Sequence, residues 1–427
     1  MKKTYIYATV IIVALVLVVS ATWYLTLPKT EEKVTISFVY ISEKTRNLAW
    51  TAIIERFEKE NPNIEVDGEA IAQSVLHEKT IQMVETGTTP DVYVMYEHFI
   101  GEFYAMGALE DLTDRTKALP FYDDFSDIAL VGASVDGKIL AVPQTLYNDG
   151  IYVRNDRIED LGLSQPSVDW TWDEFLDYAK KLTRDIDNDG ITDQYGFGMR
   201  GDGLEAVKAL TAFIYAGGGD VYKDGEVVIN SPEAVEAAEW YIDLFRTQKV
   251  APPSAPTDGW FGIVEGFGRG TTSMYLHNCG SIHQQNVYIG SANYANLPLP
   301  IGPANRRVSY MGQVGLAIFK GTEHIEEAWK FIEFCVSDWA MTLWNDAAVQ
   351  LPPRESLAAQ PIFAEDPHLS AFVASFPFLQ ANPYLVFPAW GGIASTKGVA
   401  LFQQALVGEI TAQEMLDQLA NELEANM

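Results

Sequence analysis

Cysteine is almost absent: Cys279 and Cys335 are the only two in 427 residues. They stand 56 positions apart with no CxxC and no closely spaced His/Cys set, which argues against a zinc site or a cysteine nucleophile. Outside the cell they could form one disulfide; the simpler expectation is two buried small side chains. Histidine is scarce and scattered, as His77, His98, His277, His283, His324 and His368, without HExxH. No GxSxG and no Walker lysine loop occurs either, so nothing makes a positive case for catalysis. Basic residues are few, 29 against 58 acidic ones, for a net charge of −29. Such a surface repels nucleic acid and anionic membranes, and neither is expected as a partner.

One long apolar run is present. Residues 5–27, YIYATVIIVALVLVVSATWYLTL, carry no charge and follow Lys2 and Lys3. At about 1.5 Å per residue the run can cross a hydrocarbon core of roughly 30 Å. The lysines favour a cytoplasmic start, which places the rest of the chain outside. A cleaved secretory signal is the alternative, with Val19-Ser20-Ala21 as small residues for a peptidase, although the run is long for that role. No cysteine borders it, so a lipid anchor through a cysteine is excluded. Residues 28–33 read as a short hydrophilic tether.

The remaining body is too long for one ordinary core, so two lobes are expected. Hydrophobic residues at 48% and aromatic ones at 12% exclude a disordered chain. Val34–Ile41 reads as a strand, and residues 49–61 space apolar side chains at 50, 53, 54 and 57 as an amphipathic helix does. Pro62 ends that helix. A second strand over 64–72, a helix over 75–86 closed by Gly87, and a third strand over 90–95 complete the rhythm of an α/β domain with parallel pairing. Such sheets bind ligands beyond the carboxyl ends of their strands, here at residues 42–46 and 96–98.

From this point the chain resembles an extracellular solute-binding protein of the maltose-binding type, the receptor component of ATP-binding cassette sugar importers. WTAIIERFEKENPNIEV, TGTTPDVYVMYEHFIGEFYAMGALEDLTD, DGKILAVPQTLYNDGIYVRNDRIEDLGL, WTWDEFLDYAKKLT, GRGTTSMYLHNCG and EHIEEAWKFIEFCVSD stand in the family's order over roughly 34–400. The resemblance implies a two-lobed α/β fold of the periplasmic-binding-protein type (type II) with hinge crossings. Those crossings are expected near 141–147, 297–300 and 345–352, where Pro143, Pro298, Pro300, Pro352 and Pro353 cluster. One lobe would be 34–145 plus 300–345, and the other 146–298 plus 350–427. It also implies a monomeric receptor outside the cytoplasm, with a permease as partner.

A sugar offers hydroxyls at its edge and apolar C–H faces, so its site needs carboxylates, amides and aromatic rings. The segments placed at the cleft supply Glu43, Arg46, Tyr96 and Glu97 from the first lobe, and Gln144 and Tyr147 from the crossing strand. Trp260, His277, Asn278 and Trp390 come from the second, and Tyr310 precedes the strand GQVGLAIF. Trp390, in PYLVFPAWGGI, resembles the family's late stacking tryptophan; a buried loop tryptophan is the plainer reading. Glu97 falls where related receptors place a hydroxyl-binding acid. Where maltose receptors have a second stacking tryptophan, this chain has Asn278-Cys279-Gly280, which counts against maltose itself. A glycosidase would need two carboxylates at set separation, and nothing in the sequence supplies that spacing. No cofactor is required. A sensory ectodomain of the same fold, or a peptide or polyamine binder, are the alternatives.

Asp185, Asp187, Asp189, the carbonyl of Ile191 and Asp193 occupy calcium-loop positions, with Gly190 at the turn. Position 12 is Gly196, so a complete EF-hand is not expected. An isolated structural Ca²⁺ brace on the lobe surface is the reading, against an unmetallated acidic turn.

Overall fold

The computed structural model describes residues 33–380 and 390–426. The apolar run at 5–27 and the tether to residue 32 lie outside the described residues, as do residues 381–389 ahead of Trp390. Among the described residues no helix is long and apolar enough to cross a membrane.

Strand β1 (Val34–Ile41) is followed by helix α1 (Lys44–Glu60). The helix begins earlier than the apolar spacing implies because Glu43 caps it, its carboxylate accepting from the backbone of Thr45 and Arg46. β2 (Ile64–Ile71) and α2 (Gln73–Thr86) come next, and α2 stops at Gly87, whose φ of 68° suits glycine. β3 (Val92–Tyr96) runs directly into α3 (Glu97–Ala105). β1 pairs in parallel with both β2 and β3, the arrangement expected of strands joined by helical crossovers.

The chain then enters β4 (Val142–Arg154), which serves two lobes. Further along come α4 (Trp172–Leu182), α5 (Leu204–Gly217), α6 (Pro232–Arg246), α7 (Trp260–Arg269), β5 (Met274–Asn278), β6 (Tyr294–Leu297) and β7 (Ser309–Ile318). The first half of β4 pairs with β7, and β7 pairs in turn with β3. Its second half pairs with β5 on one side and β6 on the other. One sheet therefore runs β6-β4-β7-β3-β1-β2, through both halves of the molecule.

Two separate cores flank it. The first gathers Phe38, Trp50, Tyr93, Phe103, Leu316 and Phe331. The second gathers Trp170, Phe175, Phe213, Tyr241, Phe402 and Leu416. A third connection lies beside β4, where Leu146 and Leu351 exchange backbone hydrogen bonds of 2.7 and 3.0 Å. Asn345 reinforces it, donating through Nδ2 to the carbonyl of Gln144 at 3.0 Å.

Lobe boundaries shift from those expected. Leu299, Val308 and Tyr310 pack in the second core, so the chain does not join the first lobe at 300. Backbone bonds between Ile301 and both Trp170 and Trp172 hold it there. Residues just after 350 also stay with the first lobe. Leu357 enters its core, and Arg354 binds Asp124 at 2.8 Å and lies 4.0 Å over the Phe121 ring.

Candidate ligand cleft

Tyr147 sits where the two lobes meet. Its half-buried ring packs against the first core and also against the cluster that links helix residues 127–132 to α7 and β5. Burial first, then the negative charges of Glu97, Glu205 and Asp149, push its phenol well above the usual range. Those acids come from opposite lobes, so Tyr147 marks the floor between them.

On the first-lobe side, the sheet's carboxyl end delivers Tyr96 and Glu97 together, because β3 passes into α3 without a loop. Tyr96 is buried and hydrogen-bonded to Arg46; burial raises its phenol to about 12 despite the guanidinium. Arg46 projects from the first turn of α1, with its guanidinium 5.6 Å from the Trp344 ring. Glu97 is 2% exposed, and His98 Nδ1 stands 3.9 Å from its carboxylate.

The second-lobe side contains a cluster that was not anticipated. Lys208, on α5, places Nζ 3.1 Å from Asp149 Oδ2 and 3.1 Å from Glu205 Oε2. Asp149 is on β4, two residues after Tyr147, and the lysine lies 6.0 Å from that ring. Burial opposes ionisation of Glu205, yet Lys208 and Arg200 outweigh it and hold the carboxyl at about 2. His277 is held neutral: burial, then the Arg200 cation, lower its pKa to about 3. Asp149, Arg200, Glu205 and His277 surround a cavity of about 10 Å³, room for about one water. The indole of Trp260 flanks His277 at 6.4 Å, and Phe261 beside it is 69% exposed.

The predicted residues separate into three groups. Arg46, Tyr147, His277 and Trp260 are half-buried and so within reach of a ligand, while Tyr96 and Glu97 are buried beside Arg46 and Tyr147, acting on them by hydrogen bond and charge. Glu43 and Asn278 sit near it but serve the backbone: Glu43 caps α1, and Asn278 Oδ1 accepts from Gly280 N at 2.9 Å. Gln144, Tyr310 and Trp390 are corrections. Gln144 is fully buried in β4. Tyr310 is 2% exposed and hydrogen-bonds Thr211 inside the second core. Trp390 begins a short helix (Trp390–Ile393) and is 1% exposed in that same core, so its ring presents no face for stacking. Sequence alone does not tell a stacking ring from a core ring here; the structure packs Trp390 in one core with Ile393, Ala394 and Phe402. Neither thiol is paired, Cys279 and Cys335 each being buried in a different cluster.

Asp149, Arg200, Glu205 and Lys208 were missed, though one signal was readable. Lys208 stands in EAVKALTAFIYAG, a helix almost wholly apolar beyond Glu205, and a lysine so placed needs anionic partners, of which Glu205 at i−3 is one. Roomier grooves of about 370 and 570 Å³ lie beside Trp240 and beside Lys320, but no residue near Tyr147 lines them.

In the acidic loop, oxygens of Asp185, Asp187 and Asp193 lie within 4.8 Å of one another. Asp189 is outside that set, its Oδ1 instead accepting from Ile191 N at 2.8 Å. The three carboxylates suit a hard cation, and of the side chains expected from spacing only they converge; all four aspartates accept backbone N–H bonds, so it is placement that leaves Asp189 out.

Comparison with known proteins accords with this geometry. The model of the family described as bacterial extracellular solute-binding protein matches residues 42–341. A putative ABC transporter periplasmic-binding protein of Escherichia coli K12 is 25% identical over 336 residues, 73% of each chain. The multiple sugar-binding protein of Streptococcus mutans is 24% identical over 328 residues, 74% of each chain. The maltose-bound MalE3 of T. maritima superposes with a TM-score of 0.79 at 25% identity, covering 92% of this chain and 100% of that one.

Proposed function

We propose, from a chain that belongs to the bacterial extracellular solute-binding protein family, that it captures an uncharged carbohydrate, an oligosaccharide, between its lobes and hands it to the permease of an ATP-binding cassette importer. The family is one of binding proteins, and nothing in the reading calls for turnover. The observation that carries the ligand class is the mixture of groups around Tyr147. Arg46, Arg200 and Lys208 are interleaved with Glu43, Glu97, Asp149, Asp202 and Glu205, so that each cation already has an acidic neighbour. A phosphorylated solute would call for an excess of bases, which these residues do not supply. A neutral polyol uses both kinds of group as hydrogen-bond partners, with Tyr147, Trp260 and Phe261 offering rings for its C–H faces.

Closure follows from the hinge. A ligand touching both Arg46 and Glu205 gains contacts only when the lobes approach, so binding shifts the population toward the closed form. The permease partner and the sugar class are supported by the named relatives. Anchoring through residues 5–27 is part of the same proposal, since a receptor serving a permease benefits from retention. Calcium at Asp185, Asp187 and Asp193 is proposed as a brace remote from the ligand.

A thermal-shift screen of residues 33–427 tests the reading with maltose, cellobiose, raffinose and maltotriose beside putrescine and a tripeptide. A saturating sugar at 100-fold over its Kd stabilises by roughly 2.7 kcal/mol. Stabilisation by putrescine or the peptide, with none by any sugar, overturns it.

A further inference from the structure

Lys208 is sealed beneath the cleft, 4% exposed, while the groups it touches reach the surface. Asp149 is equally buried, but the Glu205 side chain is 37% exposed and Arg200, His277 and Tyr147 are half-buried. The ammonium thus lies behind the wall that a ligand meets. It ties α5, which carries both Lys208 and Glu205, to Asp149 on the crossing strand β4.

Three groups depend on this one cation. Without it, two carboxylates lie close together in a site where only Arg200 remains to offset them, and β4 loses its polar tie to α5. With it, one oxygen of Glu205 is held from behind while the side chain stays 37% exposed, and the charge of the two carboxylates near Tyr147 is halved. A buried ion triad of this kind is an uncertain source of stability, because desolvation cancels most of the attraction. Packing alone therefore gives little reason for a lysine at this point.

We infer that Lys208 is a positioning residue for ligand selection: resting on the carbohydrate reading above, it offsets, together with Arg200, the charge of Asp149 and Glu205 from behind the cleft wall, so that the site accepts uncharged polyols and refuses organic cations. It does not touch the ligand. It acts by setting the charge and orientation of Glu205 and the seat of Tyr147. Removing the charge while keeping the alkyl stem would turn the same pocket toward amines.

The experiment compares wild type with K208M and K208R by isothermal titration calorimetry, using putrescine and maltose as probes and circular dichroism to check the fold. Putrescine affinity is expected to rise by about tenfold or more in K208M, because an unpaired carboxylate gains about one charge interaction. K208R, which keeps the cation, should stay as poor a putrescine binder as wild type. A folded K208M with unchanged putrescine affinity overturns the inference. If K208M does not fold, K208A is titrated with butylammonium, which replaces the missing ammonium and stem. Recovery of the folded signal together with cation binding at that site supports the inference, and failure of butylammonium to bind refutes it. Absence of maltose binding in the wild type bears on the sugar reading alone, since the putrescine comparison does not need it.

Discussion

The ring of Tyr147 lies across Gly312 on the neighbouring strand β7, where a Cβ would stand 2.0 Å from Tyr147 Cε2. Only a residue without a side chain lets the ring rest there, between the lobes. Gly312→Ala is therefore expected to lift the ring or spread the two strands, at about 1–3 kcal/mol of stability. Ligand affinity should fall more than the stability loss explains. Denaturant melts beside a titration separate the two effects, and an unaltered affinity removes Tyr147 from the site.

Trp390 and Trp260 should respond in opposite ways. Trp390 is buried in the second core, so Trp390→Ala should lose about 3–5 kcal/mol of stability, with any affinity change following from unfolding. Trp260 is half-buried beside His277, so Trp260→Ala should leave the melting temperature nearly unchanged and weaken sugar binding. Urea midpoints and calorimetric affinities of both variants check the pair; equal stability losses would contradict it.

Acid should destabilise the protein in two overlapping steps. His277 has a folded pKa of about 3 against 6.5, so the unfolded chain takes up a proton that the native one refuses. Its contribution is full above about 6.5 and declines as pH falls toward 3. Glu205, at about 2 against 4.5, adds a contribution complete above about 4.5 and lost as pH drops toward 2. His277→Gln should remove the decline between pH 6.5 and 4.5 and lessen it between 4.5 and 3, where the Glu205 part remains. Melting temperatures across pH 3–8 measure it, and an unchanged upper slope would contradict this assignment.

Calcium should raise the melting temperature if the acidic loop binds it, and EDTA should reverse the rise. Asp187→Asn, which removes one of three converging carboxylates, should abolish the response. Asp189→Asn should keep most of it, because that carboxylate lies outside the three that converge. Sugar affinity should be the same with and without the metal.

Both thiols should remain unreactive in the native state. Burial raises Cys279 to about 12 and pushes Cys335 well above its usual range, so little thiolate exists at neutral pH. A thiol reagent should label them only after denaturation, with two equivalents released from 427 residues. Rapid labelling of the folded protein would show that either site opens.

The alternation of apolar residues with Pro62 and Gly87 was sufficient to place β1, α1, β2, α2 and β3, because each is set by short-range spacing and local stops. The joint order of motifs likewise carried the family and its fold. That Arg46, Tyr96 and Glu97 gather beyond the carboxyl ends of β1 and β3 could be read from sequence, since a parallel sheet delivers there whatever follows its strands. Trp390 and Tyr310 could not be assigned that way. Whether a ring lines a cleft or fills a core depends on which distant helices cover it, and no local pattern encodes that. Only the folded chain decided that β4 serves both lobes and that Lys208 reaches Asp149 from a helix more than fifty residues away. A buried charge must be paired, and the partner is chosen by tertiary contact rather than by nearness in sequence.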